Sequence, residues 1–358
     1  MHIGIIGLGL IGGSIARALK QRMADITITA FARKQETLHA ALADKVIDIA
    51  ADDLSLFAPC DVVFICVPVD RIIEYAAKLA HIVRSDCVLT DVGSVKAPIM
   101  RDAAALGVCF IGGHPMAGSE KSGYAASTDF LFENAHYILT PAEKTSACAL
   151  SLLRSLAKTI GAISVVMDAE YHDQVVASVS HGPHVVAAAL VNAVAALDAQ
   201  RGDMQALAAG GFKDITRIAS SDSALWQSIC AENRDEVLRF MKAFQAQTDA
   251  LITALSGNDN AHMRDLFASA KGYRDSFAAA ARSKYTDSFV LHMDVLDRPG
   301  SIATVATLLS ANNINIKNIG IVHNREYHDG VLQILLDGED SRLRAAALLK
   351  EMNFTVYE

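Results

Sequence analysis

Three clusters of polar side chains in an otherwise apolar chain carry the residue types for acid–base or anion chemistry. The first is Gly112-Gly113-His114-Pro115-Met116-Ala117-Gly118-Ser119-Glu120-Lys121-Ser122-Gly123, directly after the apolar run Val108 to Ile111. Glycines turn the backbone sharply, and Pro115 restricts the residue before it, so one imidazole is presented on a short rigid turn. An imidazole held in that way suits a general base. The second cluster is Ser180-His181-Gly182-Pro183-His184. Two histidines at i and i+3 could ligate a metal, but no HExxH and no nearby carboxylate accompanies them, so no metal is expected. In the third, Gly210 to Ala219, Lys213 and Arg217 lie one helical turn apart. Their shared face suits a dianion, or a salt bridge with Asp214. Trp226 follows. His172, just after Glu170 at a helix start, reads as a surface or capping residue, and His184 as packing.

These groups need a scaffold. Ile3 to Ile6 reads as a buried strand, followed at once by Gly7-Leu8-Gly9-Leu10-Ile11-Gly12 and then by helical spacing from Gly13 to Leu19. GxGxxG between a strand and a helix is a dinucleotide-binding arrangement. Gly7 makes the tight turn, Gly9 lets a pyrophosphate approach, and Gly12 lets helix and strand pack closely, with Leu10 and Ile11 opening the helix toward the phosphates. The second strand, Ile26 to Phe31, ends in Ala32-Arg33-Lys34, where a carboxylate usually reads the ribose of NAD. The cofactor is therefore NAD or NADP, with Arg33 and Lys34 favouring NADP or use of both. Asp61 to Pro68 and Cys87 to Val92 have the continuous apolar character of parallel strands covered on both faces. Their carboxyl ends, Val67-Pro68-Val69 and Gly93-Ser94-Val95-Lys96, belong with His114 on the edge where open α/β sheets bind ligands. Strands at Tyr137 to Thr140 and Ile163 to Val166 complete an α/β Rossmann-type domain over 1–167.

From Ala169 the pattern turns helical and alanine-rich, with apolar helical spacing over Met204 to Leu207, Ala224 to Phe244 and Gln245 to Leu255. An all-α domain over 168–284 follows, and long helices without a complete core of their own argue for a homodimer. The tail, 285–358, reads strand, helix, strand, strand, helix, strand, the order of a small ferredoxin-like α+β fold. A chain of 358 residues is long enough for such a division. Its 52% apolar content excludes the disordered class, and its net charge of −8 with dispersed cations argues against a nucleic-acid partner. The six cysteines form no CxxC, which suits buried thiols in a reducing cytosol. Met1-His2-Ile3-Gly4 has no basic leader or cleavage site and begins no bilayer-length run, so a cytoplasmic location with no membrane partner is expected.

Gly7-Leu8-Gly9-Leu10-Ile11-Gly12-Gly13-Ser14, Asp91-Val92-Gly93-Ser94-Val95-Lys96, Gly113-His114-Pro115-Met116-Ala117-Gly118, Ser180-His181-Gly182-Pro183-His184 and Gly211-Phe212-Lys213-Asp214-Ile215-Thr216-Arg217-Ile218-Ala219 occur in this order. Over residues 1 to about 285 the chain thereby resembles the prephenate/arogenate dehydrogenase family. The resemblance implies oxidative decarboxylation of prephenate, or of its amino counterpart arogenate, with hydride passing to the nicotinamide. By resemblance, His114 accepts the C4 hydroxyl proton, Ser94 is its hydrogen-bonding partner, and Arg217 clamps a carboxylate. His181 contacts the substrate side chain, Ser119 and Glu120 line or gate the pocket, and Lys213 and Trp226 reach into it. Val67 and Pro68 accompany the glycines at the cofactor. With Asp297-Arg298-Pro299-Gly300 after its first strand and Asn315 in the segment Asn312 to Ile316, the tail resembles an ACT domain. Tyrosine as feedback effector would then meet Asp297, Gly300 and Asn315. Two rivals remain at this stage. A β-hydroxyacid dehydrogenase leaves His114 with Ser94 unexplained, and a non-catalytic nucleotide- and amino-acid-sensing regulator predicts binding without turnover.

Overall fold

A computed structural model describes residues 1–118, 121–200, 202–277, 289–296, 298–322 and 330–357. Ser119, Glu120 and Asp297 therefore lie outside the described residues. The chain divides into two compact units, Met1–Ser256 and Gly257–Glu358. The nucleotide sheet and the helices as far as Ser256 share one of these units.

The first unit is built on an eight-stranded sheet, ordered β3-β2-β1-β4-β5-β6-β7-β8. The strands are β1 (His2–Ile6), β2 (Thr27–Phe31), β3 (Ile49–Ala51), β4 (Val62–Ile65), β5 (Val88–Asp91), β6 (Cys109–Pro115), β7 (His136–Pro141) and β8 (Ile163–Val166). β1 to β6 run parallel, and β7 pairs antiparallel to β6 with His114 opposite Ile138. A parallel strand needs a crossover, usually helical; among the described residues between β6 and β7 there is only the short turn Tyr124–Ala126, so the chain reverses. β1, β4 and β5 are fully buried apart from His2, as strands covered on both faces must be. One face packs α1 (Leu10–Arg22) through Ile15, Ala18 and Leu19, and the other gathers Ile72, Leu79, Ile99 and Phe110. Each buried Ile or Leu side chain among these contributes about 1.5–3 kcal/mol.

The helical part begins with Ala169–Val176, capped by Asp168, which accepts from the Tyr171 amide at 3.0 Å. It continues through a π-helical turn, Ala177–His181, into Gly182–Asp198. The stretch Ala169–Asp198 is long and apolar enough by length and composition to cross a membrane, but its inward side carries the buried polar residues His172, Asp173 and His181. Further on, the expected helix over Ala224 to Phe244 is interrupted: one helix is Ser223–Glu232, the next Arg234–Ser256, and Asn233 forms the break.

In the second unit, strands β9 (Val290–Val295), β10 (Ile316–Val322), β11 (Gly330–Leu336) and β12 (Val356–Tyr357) form an antiparallel sheet ordered β10-β11-β9-β12. Two helices, Ser301–Ala311 and Glu339–Glu351, supply Val305, Leu309, Ala345 and Leu349 to its core. This is the anticipated small α+β plan. A cleft of about 440 Å³ lies along Ala306, Ser310, Asn313, Ile314, Asn315 and Ile316. Gly300, at φ +90°, turns the chain into the first of the two helices.

Candidate active site

The carboxyl edge of the parallel strands assembles the site. Ile6, Ile65 and Asp91 are level in the sheet, and Thr90 stands opposite Ile111, so His114 projects beyond the end of β5 while it stays paired with β7 on its other side. On this edge Gly7 sits at φ +98°, where a Cβ would come within 2.5 Å of the Cys66 carbonyl. A Cβ on Gly12 would fall 2.1 Å from the Gly7 carbonyl. Both positions are closed to any side chain, whereas a Cβ on Gly9 would meet nothing within 4 Å. The open space over Gly9, at the start of a helix with no side-chain cap and no acidic residue in its first turn, fits the pyrophosphate of a dinucleotide. Val67 and Pro68 follow Cys66 on the same edge, and Arg33 is exposed just past β2.

Asp91 ends β5 fully buried and organises the next turn. Its carboxylate accepts from the Gly93 amide at 2.8 Å, from the Gly113 amide at 3.1 Å and from the buried ammonium of Lys96. It thereby ties the strand that carries His114 to the turn that carries Ser94. Burial lowers the Lys96 pKa, and Asp91 opposes that fall.

His114 is 9% exposed. Its Nδ1 lies 2.8 Å from Nε2 of His172, and Nδ1 of His172 lies 2.7 Å from Oδ1 of Asp173. The Asp173 carboxylate also accepts the main-chain amides of Lys96 (2.7 Å) and Ala97 (2.8 Å). His172, expected at the surface, is fully buried, because Asp173 docks its helix onto the start of Ala97–Ala103 and carries the neighbouring ring inward. Ser94, expected as the hydrogen-bonding partner of His114, is half-buried and, among the described residues, makes no hydrogen bond to it; Nδ1 of His114 is taken by His172.

The hydrogen bonds assign the protons. A carboxylate only accepts, so Nδ1 of His172 donates to Asp173. The neutral ring then has a bare Nε2, which accepts from Nδ1–H of His114. His114 in turn is left with a bare Nε2. Burial, followed by the charges of His172, Lys96 and His181, holds the His114 pKa well below its ordinary value, so the ring is a neutral base at neutral pH.

The other expected residues fall as follows. His181 is fully buried, with Nδ1 3.1 Å from the Asn233 amide nitrogen, and burial pulls its pKa down to about 4. Trp226 stacks on His184 at 3.6 Å and meets His181 edge-on at 6.0 Å. Lys213 and Arg217 are exposed on and just after the helix Gly210–Thr216. Asp173 and Asn233 escaped the sequence reading. The signal available for Asp173 was its place beside His172, on the helical stretch that runs on to His181.

A dinucleotide turn sharing a sheet edge with a base-form imidazole is the layout of a nicotinamide-dependent oxidoreductase, here a Rossmann-type nucleotide-binding domain followed by an all-helical one. A model of the prephenate dehydrogenase nucleotide-binding domain matches residues 15–166, and one of the prephenate dehydrogenase dimerization domain matches residues 168–269. The chain belongs to the prephenate/arogenate dehydrogenase family. It is 39% identical over 346 residues to the prephenate dehydrogenase of Bacillus subtilis (strain 168), covering 95% of this chain and 93% of that one. It is similar to the crystal structure of prephenate dehydrogenase from Aquifex aeolicus in complex with hydroxyphenyl propionate and NAD+, at 33% identity and TM-score 0.73 over 77% of this chain and 98% of that one. It is also similar to Synechocystis arogenate dehydrogenase, at 34% identity and TM-score 0.70 over 77% of this chain and 100% of that one.

Proposed function

We infer that this chain is a prephenate dehydrogenase, converting prephenate to 4-hydroxyphenylpyruvate and carbon dioxide. The observation that carries this reading is the bare Nε2 of His114, set by the His172–Asp173 pair on the edge that bears the dinucleotide turn. When bound, the nicotinamide dinucleotide supplies the hydride acceptor. The amides after Gly9 and the backbone at Gly7 and Gly12 hold its pyrophosphate, with Val67 and Pro68 beside them. Arg33 and Lys34 favour a 2′-phosphate, so NADP, or both cofactors, is the expected choice.

His114 takes the C4 hydroxyl proton at Nε2 as hydride leaves C4. The imidazolium so formed is stabilised through His172 by the Asp173 carboxylate. Breaking the bond to the departing carboxylate then returns its electron pair to the ring, which becomes aromatic, and the ring oxygen takes the proton back from His114. Ser94 orients the substrate hydroxyl. Arg217 and Lys213 attract the carboxylates, Arg217 by its planar fork. His181 and Trp226 meet the side chain, and by the family resemblance Ser119 and Glu120 line or gate the pocket. Holding both reactants in one geometry supplies much of the acceleration.

The similarity to an arogenate dehydrogenase favours a second reading, arogenate as substrate. Absorbance at 340 nm with each substrate against each cofactor decides both choices; no reduction with either substrate refutes the reading. A homodimer through the helical domain is supported by exposed apolar side chains there, among them Val179, Leu197 and Ile215. The tail is proposed as an ACT domain that takes tyrosine, with Asn315, which lines the cleft, and with Asp297 and Gly300 by the family resemblance. Tyrosine inhibiting the full chain and a chain without the tail equally would oppose that assignment. A cytoplasmic enzyme without membrane contact fits this chemistry.

A further inference from the structure

Asp91 and Lys96 form an ion pair with both side chains fully buried, and neither takes part in the proton transfer. Two buried charges commonly cost as much as their attraction returns, so stability alone does not explain the pair. Its hydrogen bonds lead to the base. One oxygen of the Asp91 carboxylate takes the Lys96 ammonium and, at 2.8 Å, the Gly93 amide; the other takes the Gly113 amide at 3.1 Å, one residue before His114. The main-chain amide of Lys96 donates to Asp173 at 2.7 Å, Asp173 accepts from His172, and His172 meets His114 at 2.8 Å. The circuit closes, from Asp91 through Lys96, Asp173, His172 and His114 to Gly113 and back to Asp91. Every residue in it is buried.

The charges in the circuit can be counted. Burial lowers the Lys96 pKa and Asp91 opposes the fall, so the pair is an ammonium and a carboxylate. Asp173 adds a second carboxylate, and burial keeps His172 and His114 neutral. Two carboxylates against one ammonium leave a single negative charge, which a proton on His114 cancels. The other titratable groups nearby add nothing: burial pushes the pKa of Tyr137 on β7 and of Cys66 beyond β4 up, and that of His181 down to about 4. Without the ammonium, two uncompensated carboxylates would draw a proton from solvent onto the imidazoles before any substrate arrived.

We propose that the Asp91–Lys96 pair balances charge for the base: the ammonium cancels one of the two carboxylates in the circuit, so His114 meets the substrate with Nε2 bare and takes its proton from the C4 hydroxyl. This rests on the proposed function. Asp91 and Lys96 act through His114 and touch no substrate, which makes both positioning residues. The same two residues hold the main chain on either side of Ser94, so the turn and the charge balance are built by one pair.

The test is the pH profile of kcat/KM for prephenate at saturating cofactor, with the full-length wild type, Lys96→Gln, and Lys96→Gln combined with Asp91→Asn. Glutamine still donates to Asp91 but carries no charge. The acid limb of Lys96→Gln should move up by about one pH unit or more, because two carboxylates now favour the imidazolium. Removing both charges restores the sum, so the limb of the double variant should return to within about 0.3 unit of wild type, whatever happens to kcat. A pair that only held the turn in shape would change kcat and leave the limb where it was. A limb unmoved in Lys96→Gln would overturn the proposal, as would a limb displaced by about a unit in the double variant. Should Lys96→Gln alone not fold, the double variant, with no unpaired buried charge, decides by the same criterion. A second measurement needs no substrate: the ¹⁵N imidazole titration of the ligand-free, histidine-labelled protein, with His114 assigned by its loss in His114→Asn. Its midpoint should rise in Lys96→Gln, and an unmoved midpoint would overturn the proposal. Turnover of neither prephenate nor arogenate by the wild type would refute the functional reading itself. Turnover of prephenate with limb and midpoint both unmoved refutes this inference alone.

Discussion

Nε2 of His172 lies 2.8 Å from Nδ1 of His114, and the two rings meet at 76°, edge to face. Two imidazoles joined head to tail and ended by the Asp173 carboxylate leave one lone pair pointing away from the protein's own partners, on His114. Asp173→Asn keeps the shape but weakens the acceptor that holds His172 in place, so the tautomers of both rings are no longer dictated. General acid–base catalysis is worth about 10²–10⁴-fold. Asp173→Asn should lose much of that in kcat, with KM for the cofactor unchanged, as steady-state kinetics would show. Unaltered kcat would mean the carboxylate serves only to dock the helix.

Acid should destabilise the folded chain through the same rings. Burial holds His114, His172 and His181 below their ordinary pKa, His181 at about 4. The unfolded chain takes up protons near pH 6.5 that the folded chain refuses, so stability present above that pH falls as pH drops toward the folded values. The slope is at most about 1.4 kcal/mol per pH unit for each ring. Urea unfolding between pH 7 and 5 measures it, and His181→Gln should reduce the slope. A slope unaffected by that change would show that His181 is not held neutral.

Gly9 and Gly12 should separate fold from cofactor. A Cβ on Gly9 meets open space, so Gly9→Ala should melt like wild type while losing dinucleotide affinity, because the methyl stands where the pyrophosphate approaches. A Cβ on Gly12 strikes the Gly7 carbonyl at 2.1 Å, so Gly12→Ala should lower both Tm and affinity. Thermal melts with and without cofactor distinguish them; tight binding by Gly9→Ala would place the cofactor elsewhere.

Arg217→Ala tests the carboxylate clamp. The side chain is exposed in the ligand-free protein, so the effect should be moderate, a rise in KM for prephenate of about tenfold, or about 1.4 kcal/mol, with little change in kcat. An unchanged KM would remove Arg217 from the site.

The glycine turn, the strand ends and His114 were legible in the sequence because each is a local pattern. Gly7 and Gly12 are required by contacts with the chain a few residues or one strand away, and His114 follows its own strand directly. His172 was misread for a physical reason: Glu170, Asp173 and Gln174 around it have the polarity of an exposed first turn, and only the docking of Asp173 on the Lys96 and Ala97 amides turns that face inward. Asn233 gave no local sign at all. Its side chain joins residues 60 and 52 positions away in the chain, and His172 reaches His114 across 58. Contacts of that separation exist only once the helices have packed on the sheet. The break at Asn233 was hidden in the same way, since helical spacing continues on both sides of it.

His114→Asn, assayed at 340 nm with prephenate and a saturating cofactor, tests the central claim most directly. Asparagine retains a polar side chain of similar reach but no basic nitrogen, so kcat should fall by about 10²–10⁴-fold while cofactor binding and Tm stay near wild type. Turnover within a few-fold of wild type would contradict the account, because the proton would then be leaving the substrate by some other route.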